Sequence, residues 1–165
     1  MDVVVGSFEE FYLATKDKCL RAVLAVVGHR ALAEDLVAEA MCRAWRSWAA
    51  VGIHQAPQAW VMRTALNLNV DWWRRRRREV PLADHHDPVA PEWDGDVDPW
   101  WMNALRSLPE RQRLVLAVRV LLDLDTAQTA ELLGMKPATV RVHLHRAALK
   151  LRAELGAAIS SEDGR

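Results

Sequence analysis

Four of the chain's seven prolines, Pro81, Pro88, Pro91 and Pro99, crowd into one short stretch, with Asp84, Asp87, Glu92, Asp94, Asp96 and Asp98 set among them. Proline removes a backbone donor and its ring clashes with the preceding helical turn. Closely spaced carboxylates also repel one another and keep a chain extended. Residues 79–101 therefore read as an extended acidic linker. Both a passive tether and a segment with a role of its own are open readings. Whatever core the chain builds must come from the sequence on either side.

Both sides are helical in pattern, with no sustained apolar/polar alternation and no Asn-Gly or Asp-Gly turn set between two alternating runs. Phe8, Phe11, Tyr12 and Thr15 open an amphipathic stretch running to about Val27, which Gly28-His29 can end. Ala31 to Trp48 forms a second, with Leu36, Ala40, Ala44 and Trp48 recurring at four-residue intervals. A turn-like segment covers Ala49 to Pro57. Pro57 then suits the first turn of a long helix reaching Arg78. Beyond the linker, a short helix over Trp101 to Ser107 precedes one from Leu108-Pro109 to about Leu122. Asp125 or Thr126 can cap a helix ending at Leu133, where Gly134 fits the left-handed terminating position. Pro137 sits near the first turn of a last helix continuing to about Leu155, and the tail from Gly156 is expected to fray. Helix, Gly-containing turn, helix is a helix-turn-helix pattern. The fold class is all-α: two small helical domains, 1–79 and 101–156, joined by a linker over 80–100 and followed by a tail over 157–165.

The 22 basic and 22 acidic residues cancel, which alone argues against a nucleic-acid partner. Their distribution argues the reverse. Residues 1–78 hold 12 Lys and Arg against 8 acids, 79–101 hold 7 acids and no Lys or Arg, and 102–165 hold 10 against 7. An acidic segment thus separates two mildly basic ones, and it is such local charge that selects partners. No cationic start followed by an apolar core marks a secretory signal, and no uncharged apolar run is long enough to span a membrane. Cys19 and Cys42 lack C-x-x-C spacing, and His29, His54, His85, His86, His143 and His145 do not combine with them at zinc-site spacing. A reduced cytoplasmic protein is the favoured reading, with a disulfide or metal role as the lesser alternative. No nucleophile beside a base, phosphate-cradling Gly loop or metal-ligand set is present, so neither an enzyme nor a cofactor is expected.

Two constellations carry chemistry. Along the long helix Arg63, Asn67, Asp71 and Arg74 fall at offsets 0, 4, 8 and 11 and so share one face, with Met62, Leu66, Val70 and Trp73 on an adjacent apolar side. Arg74 to Arg78 are five consecutive arginines at the C-terminal end, where cations suit the helix dipole. Arginines can hold phosphates while Asn offers base edges both a donor and an acceptor. Trp60, Trp72 and Trp73 could stack unpaired bases or pack into the core; for the tryptophans alone, core packing is the favoured reading. On the last helix Val140, Leu144, Ala147 and Leu151 form the buried stripe, which turns Ala138, Arg141, Val142 and His145 outward. Arg141 can reach guanine O6 and N7, and the Thr139 hydroxyl can hold a phosphate. A helical hairpin with no DNA role is the plainer alternative.

At these residues the chain resembles extracytoplasmic-function (ECF) sigma factors of the sigma-70 family. Ala33-Glu34-Asp35-Leu36-Val37-Ala38-Glu39-Ala40 followed by Arg43-Ala44-Trp45 is similar to their region 2.2. Trp60, Asn67, Asp71, Arg74 and the arginine run resemble regions 2.3 and 2.4. Leu108-Pro109, Arg113, Ala130, Leu133-Gly134, Thr139-Val140-Arg141 and Arg146-Ala147 resemble region 4. The string Asp71-Trp72-Trp73-Arg74-Arg75 is similar to the actinobacterial group labelled the sigma-E family. The ordered match covers nearly the whole chain and is far more specific than any one motif.

The resemblance implies an alternative sigma factor that binds core RNA polymerase and reads −35 and −10 promoter elements. Glu34, Asp35, Leu36, Glu39 and Arg43 would dock on the clamp helices of the β′ subunit, and region 4 on the β flap. Trp60, Arg63, Asn67, Asp71, Trp72, Arg74 and Arg75 would handle the single-stranded −10 element, with Ala49 to Pro57 capturing a flipped base. Lys136, Ala138, Thr139, Arg141, Val142, His145 and Arg146 would read duplex −35 DNA, and the linker would lie in the path of nascent RNA. A monomer when free, direct membrane insertion absent, and an anti-sigma factor as a further partner complete the expectation. The chain departs from the family pattern at Ala38, where Gln is common, at Gln128-Thr129, where Glu-Ile is usual, and at Val142 and His143. These bear on the −35 preference more than on the fold. A stand-alone helix-turn-helix regulator is the main rival, and a module that sequesters another transcription factor the second.

Overall fold

The computed structural model describes residues 6–79 and 99–162, with no strand among them. The acidic linker, apart from its two ends, and the last three residues lie outside the described residues. Helix α1 (Phe8–Val27) begins at a reciprocal cap. The Ser7 hydroxyl accepts from the Glu10 amide, and the Glu10 carboxylate accepts from the Ser7 amide. It ends where Gly28 turns left-handed at φ 75°, which costs glycine nothing sterically. Helix α2 (Arg30–Arg46) follows at once, with His29 Nδ1 accepting from the Leu32 amide as N-cap. The segment expected to be turn-like starts as a short helix, α3 (Trp48–Val51), before turning at Gly52. The Trp48 indole packs on Phe8 and Phe11 and donates to the Gly6 carbonyl, tying this corner to the start of α1. Helix α4 (Pro57–Glu79) opens on proline, as the sequence predicts.

The second half comprises α5 (Pro99–Ser107), α6 (Glu110–Leu116), α7 (Thr126–Leu133) and α8 (Pro137–Glu162). Helix α6 widens at its end into a π-turn over Ala117–Leu121. Arg119, within that turn, reaches the Leu124 carbonyl, and Asp123 takes a left-handed φ of 54°. Asp125 then caps α7 by a reciprocal exchange with Gln128, and Gly134 ends it at φ 62°. The expected fraying from Gly156 does not occur: α8 runs to Glu162. One glycine costs a helix only about 1 kcal/mol against alanine, and no proline follows to stop it.

Although the sequence reads as two helical units, their cores join. Helix α1 packs against α2 and α4 on one side and against α5, α6 and the π-turn on the other. Its Cys19, Ala22, Val23, Leu24 and Ala25 are all buried. In the largest apolar cluster Cys19, Val23, Met62 and Ala65 meet Val118, Leu122, Leu124 and Leu132 from the second half. Ala25 joins Met102, Leu105 and Leu108 in another. Alanines at positions 22 and 25 leave room for helices to approach, and packing at interior density does the rest.

Burial also decides the cysteines. Both are free; Cys19 is buried and Cys42 exposed. Desolvation pushes the Cys19 thiol up to about 12, with Lys18 pulling weakly the other way. A thiol-reactive dye should therefore modify one cysteine in the folded protein at pH 8 and two in urea. The raised value stabilises the fold fully below the ordinary thiol range, and that contribution is lost as pH rises from about 9 towards 12.

Candidate polymerase and nucleic-acid interfaces

Three surfaces carry the residues singled out in the sequence. On α2, Glu34, Asp35, Glu39 and Arg43 are exposed, as is Ala38. Leu36 is not among them: it is 6% exposed and packs inside the main core, so it supports the helix and cannot touch a partner. Glu34 pairs with Arg30 and Glu39 with Arg43, both at 2.8 Å and one helical turn apart. Exposed pairs of this kind hold rotamers more than they stabilise, at about 0.3–0.5 kcal/mol. Trp45 is not among the docking residues expected from the sequence, yet it lies 63% exposed, and its offset of 11 puts it on the side of Glu34. The sign that marks it is the combination of periodicity with a large ring: Leu36, Ala40 and Ala44 take the buried positions, which leaves Trp45 outside.

On α4 the expected face forms. Arg63, Asn67, Asp71 and Arg74 are all exposed, and Arg75 to Arg78 as well. The buried side is supplied by Ala59, Val61, Met62 and Ala65. The apolar side expected over Met62, Leu66, Val70 and Trp73 is buried only at its start; Val70 and Trp73 are each 47% exposed because the helix outruns the core. The tryptophans divide. Trp60 packs against the main core, while Trp72 and Trp73 meet edge to face at 4.9 Å with the Arg76 guanidinium over the Trp72 ring at 5.1 Å. Asp71 and Arg74 sit 3.9 Å apart in solvent, too loosely to neutralise either. Arg63 is engaged elsewhere: it donates to the Glu131 carbonyl of α7 at 2.7 Å.

On α8, Val140 and Ala147 are fully buried, while Ala138, Thr139, Arg141, Val142, His145 and Arg146, with Lys136 just before the helix, are all exposed. The turn before it is closed by the Met135 amide on the Ala130 carbonyl and by Thr139 and Val140 amides on the Lys136 carbonyl. Arg141 thus projects from the first turns of a helix packed on α6 and α7. One departure changes meaning. Thr129, which stands with Gln128 where Glu-Ile is usual, is completely buried, and its hydroxyl has no hydrogen-bond partner. An unpaired buried hydroxyl costs about 1–3 kcal/mol, so Thr129→Val should raise stability by about 1 kcal/mol in urea unfolding.

These surfaces define a helical protein with one helix-turn-helix, exposed along the outward side of its second helix, and one long helix that carries five consecutive exposed arginines at its end. The family model for sigma-70 region 2 matches residues 11–79, and that for sigma-70 region 4 matches residues 100–151. The RNA polymerase sigma-E factor of Streptomyces coelicolor is 32% identical over 154 residues, spanning 92% of this chain and 87% of that protein. The ECF RNA polymerase sigma factor SigF of Caulobacter vibrioides is 36% identical across 73% of this chain and 69% of its own. In fold the chain is similar to the sigma factor RpoE of Bartonella quintana, solved with the anti-sigma factor NepR, with a TM-score of 0.73 and 21% identity over 90% of this chain and 96% of that one. The chain belongs to the sigma-70 family of RNA polymerase sigma factors, in its ECF group. It is an alternative sigma factor, directing core RNA polymerase to promoters.

Proposed function

We propose a division of that task among the three surfaces. The exposed side of α2, with Glu34, Asp35, Glu39, Arg43 and the added Trp45, docks on core polymerase. Helix α4 and the segment before it take the melted −10 strand, and the start of α8 reads the −35 duplex. Residues 1–79 and 101–156 act as the two reading units. The observation that carries this division is the sorting on α8: all seven proposed −35 residues are exposed while Val140 and Ala147, on the opposite side, are buried. Phosphate contacts position such a helix, and Arg141 with its neighbours contributes the base discrimination.

On α4, stacking contributes about 1–3 kcal/mol per base, which offsets the few kcal/mol of unpairing. The role requires no bond chemistry from the chain itself. The protein works as a cytoplasmic monomer when free, and an anti-sigma factor is the class of partner proposed to hold it back. Among the described residues no helix is long and apolar enough to cross a membrane, so any membrane link would run through that partner.

Only Lys136, Arg141 and Arg146 among the proposed −35 residues are cations, so the isolated chain should bind duplex promoter DNA weakly and with a shallow salt dependence. Fluorescence anisotropy of a labelled promoter fragment tests this. Tight binding that appears with core polymerase supports the sigma reading; tight binding by the chain alone, as a dimer, supports the stand-alone regulator.

A further inference from the structure

Two departures from the family pattern stand side by side on α8, and the structure sends them different ways. His143 is half-buried, with its Nδ1 out of solvent. Val142 faces outward and is 46% exposed. At 3.6 residues per turn it lies about 200° round the helix from Val140, nearly opposite the buried stripe that Val140 and Ala147 mark. Ala138, one turn earlier, shares its line, and Arg141 and His145 flank it; all three are exposed. Exposed apolar side chains are ordinary on a protein surface, and Leu149 and Leu155 are further examples on the same helix. Val142 differs from those two in lying within the first two turns, the part of such a helix that meets base edges in the major groove.

Base edges in that groove are donors and acceptors, with one apolar exception, the C5 methyl of thymine. Valine can neither donate nor accept. Against a cytosine amine or a guanine carbonyl it strips water from a polar group and returns no hydrogen bond. Against a thymine methyl, two apolar surfaces leave water together. We propose that Val142 selects thymine in the upstream promoter element, an inference that rests on the start of α8 being the −35 surface. Neighbouring residues rise only about 1.5 Å along a helix, less than the roughly 3.4 Å between base pairs. The thymine therefore lies on either strand within one or two base pairs of the guanine held by Arg141. Ala138, on the same line, is too short to hold the helix off the bases.

The test is initiation by core polymerase with this protein on a promoter that it selects. Each thymine of the upstream block is replaced in turn by deoxyuridine, which removes the methyl and keeps the pairing. One position should lower initiation about fourfold, the worth of one buried methyl group. Val142→Ala should no longer distinguish thymine from deoxyuridine there, and circular dichroism should show its fold unchanged, since the side chain stands outside the core. An upstream block with no thymine near the guanine would overturn the proposal. So would deoxyuridine without effect at every position, or with the same effect in wild type and Val142→Ala. Arg141→Ala separates the two layers of the argument. If it relaxes the preference at one position while deoxyuridine changes nothing, the methyl contact alone is wrong. If neither change matters, α8 does not read bases, and the −35 assignment fails with it.

Discussion

Met62→Ala is expected to cost about 2–5 kcal/mol of folding free energy, a large share of the roughly 5–15 kcal/mol typical of a domain. Met62 is fully buried, and its cluster draws on α1, α2, α4, the π-turn and α7. A cavity there cannot be refilled by one side chain moving, because the neighbours are held by several helices at once, and the cost grows with the volume left empty. The same truncation at Val70, two turns further along α4 and 47% exposed, should change stability by no more than about 0.5 kcal/mol. Urea unfolding followed by circular dichroism compares the two. Equal effects at both positions would contradict the assignment of the core side of α4.

Arg141→Ala is expected to lower initiation by about 5- to 150-fold, the loss of one bidentate base contact of about 1–3 kcal/mol, and to relax the preference at one position of the upstream element. Lys136→Ala should differ in kind. Lys136 is exposed just before α8; as a contact to phosphate alone, its loss should weaken all promoters alike and reduce the salt dependence. Competition transcription on promoter variants separates these outcomes. A uniform loss in Arg141→Ala would remove it from base reading.

Much of this organisation is legible in the sequence because it is local. Ser7 with Glu10, Gly28, Asp125 with Gln128, and Gly134 act within a few residues of themselves, and each is found at the helix end that its chemistry favours. The outward set on α8 follows from one buried stripe and the helical period. Leu36 is marked for the interior by the interval it shares with Ala40 and Ala44, against its place among the docking residues that the resemblance implies. Features that depend on distant contacts are not legible in this way. Thr129 reads as polar, but α7 turns it into the interior. The joining of the two cores through α1 leaves no periodic trace, since Ala25 looks like an ordinary helix former until Met102 and Leu105 of α5 and Leu116 of α6 are seen in one cluster with it. Arg63 has the right face and is nonetheless occupied by a carbonyl 68 residues away.

Promoter choice by core polymerase is the property that this chain must confer if its surfaces work as proposed. Transcription from a library of random fragments by actinobacterial core polymerase, with and without the protein, tests it most directly. The expected result is a set of transcripts that depend on the protein and share a two-block upstream motif, with the upstream block altered by Arg141→Ala. Folded protein and active core enzyme that together yield no added transcripts would contradict it.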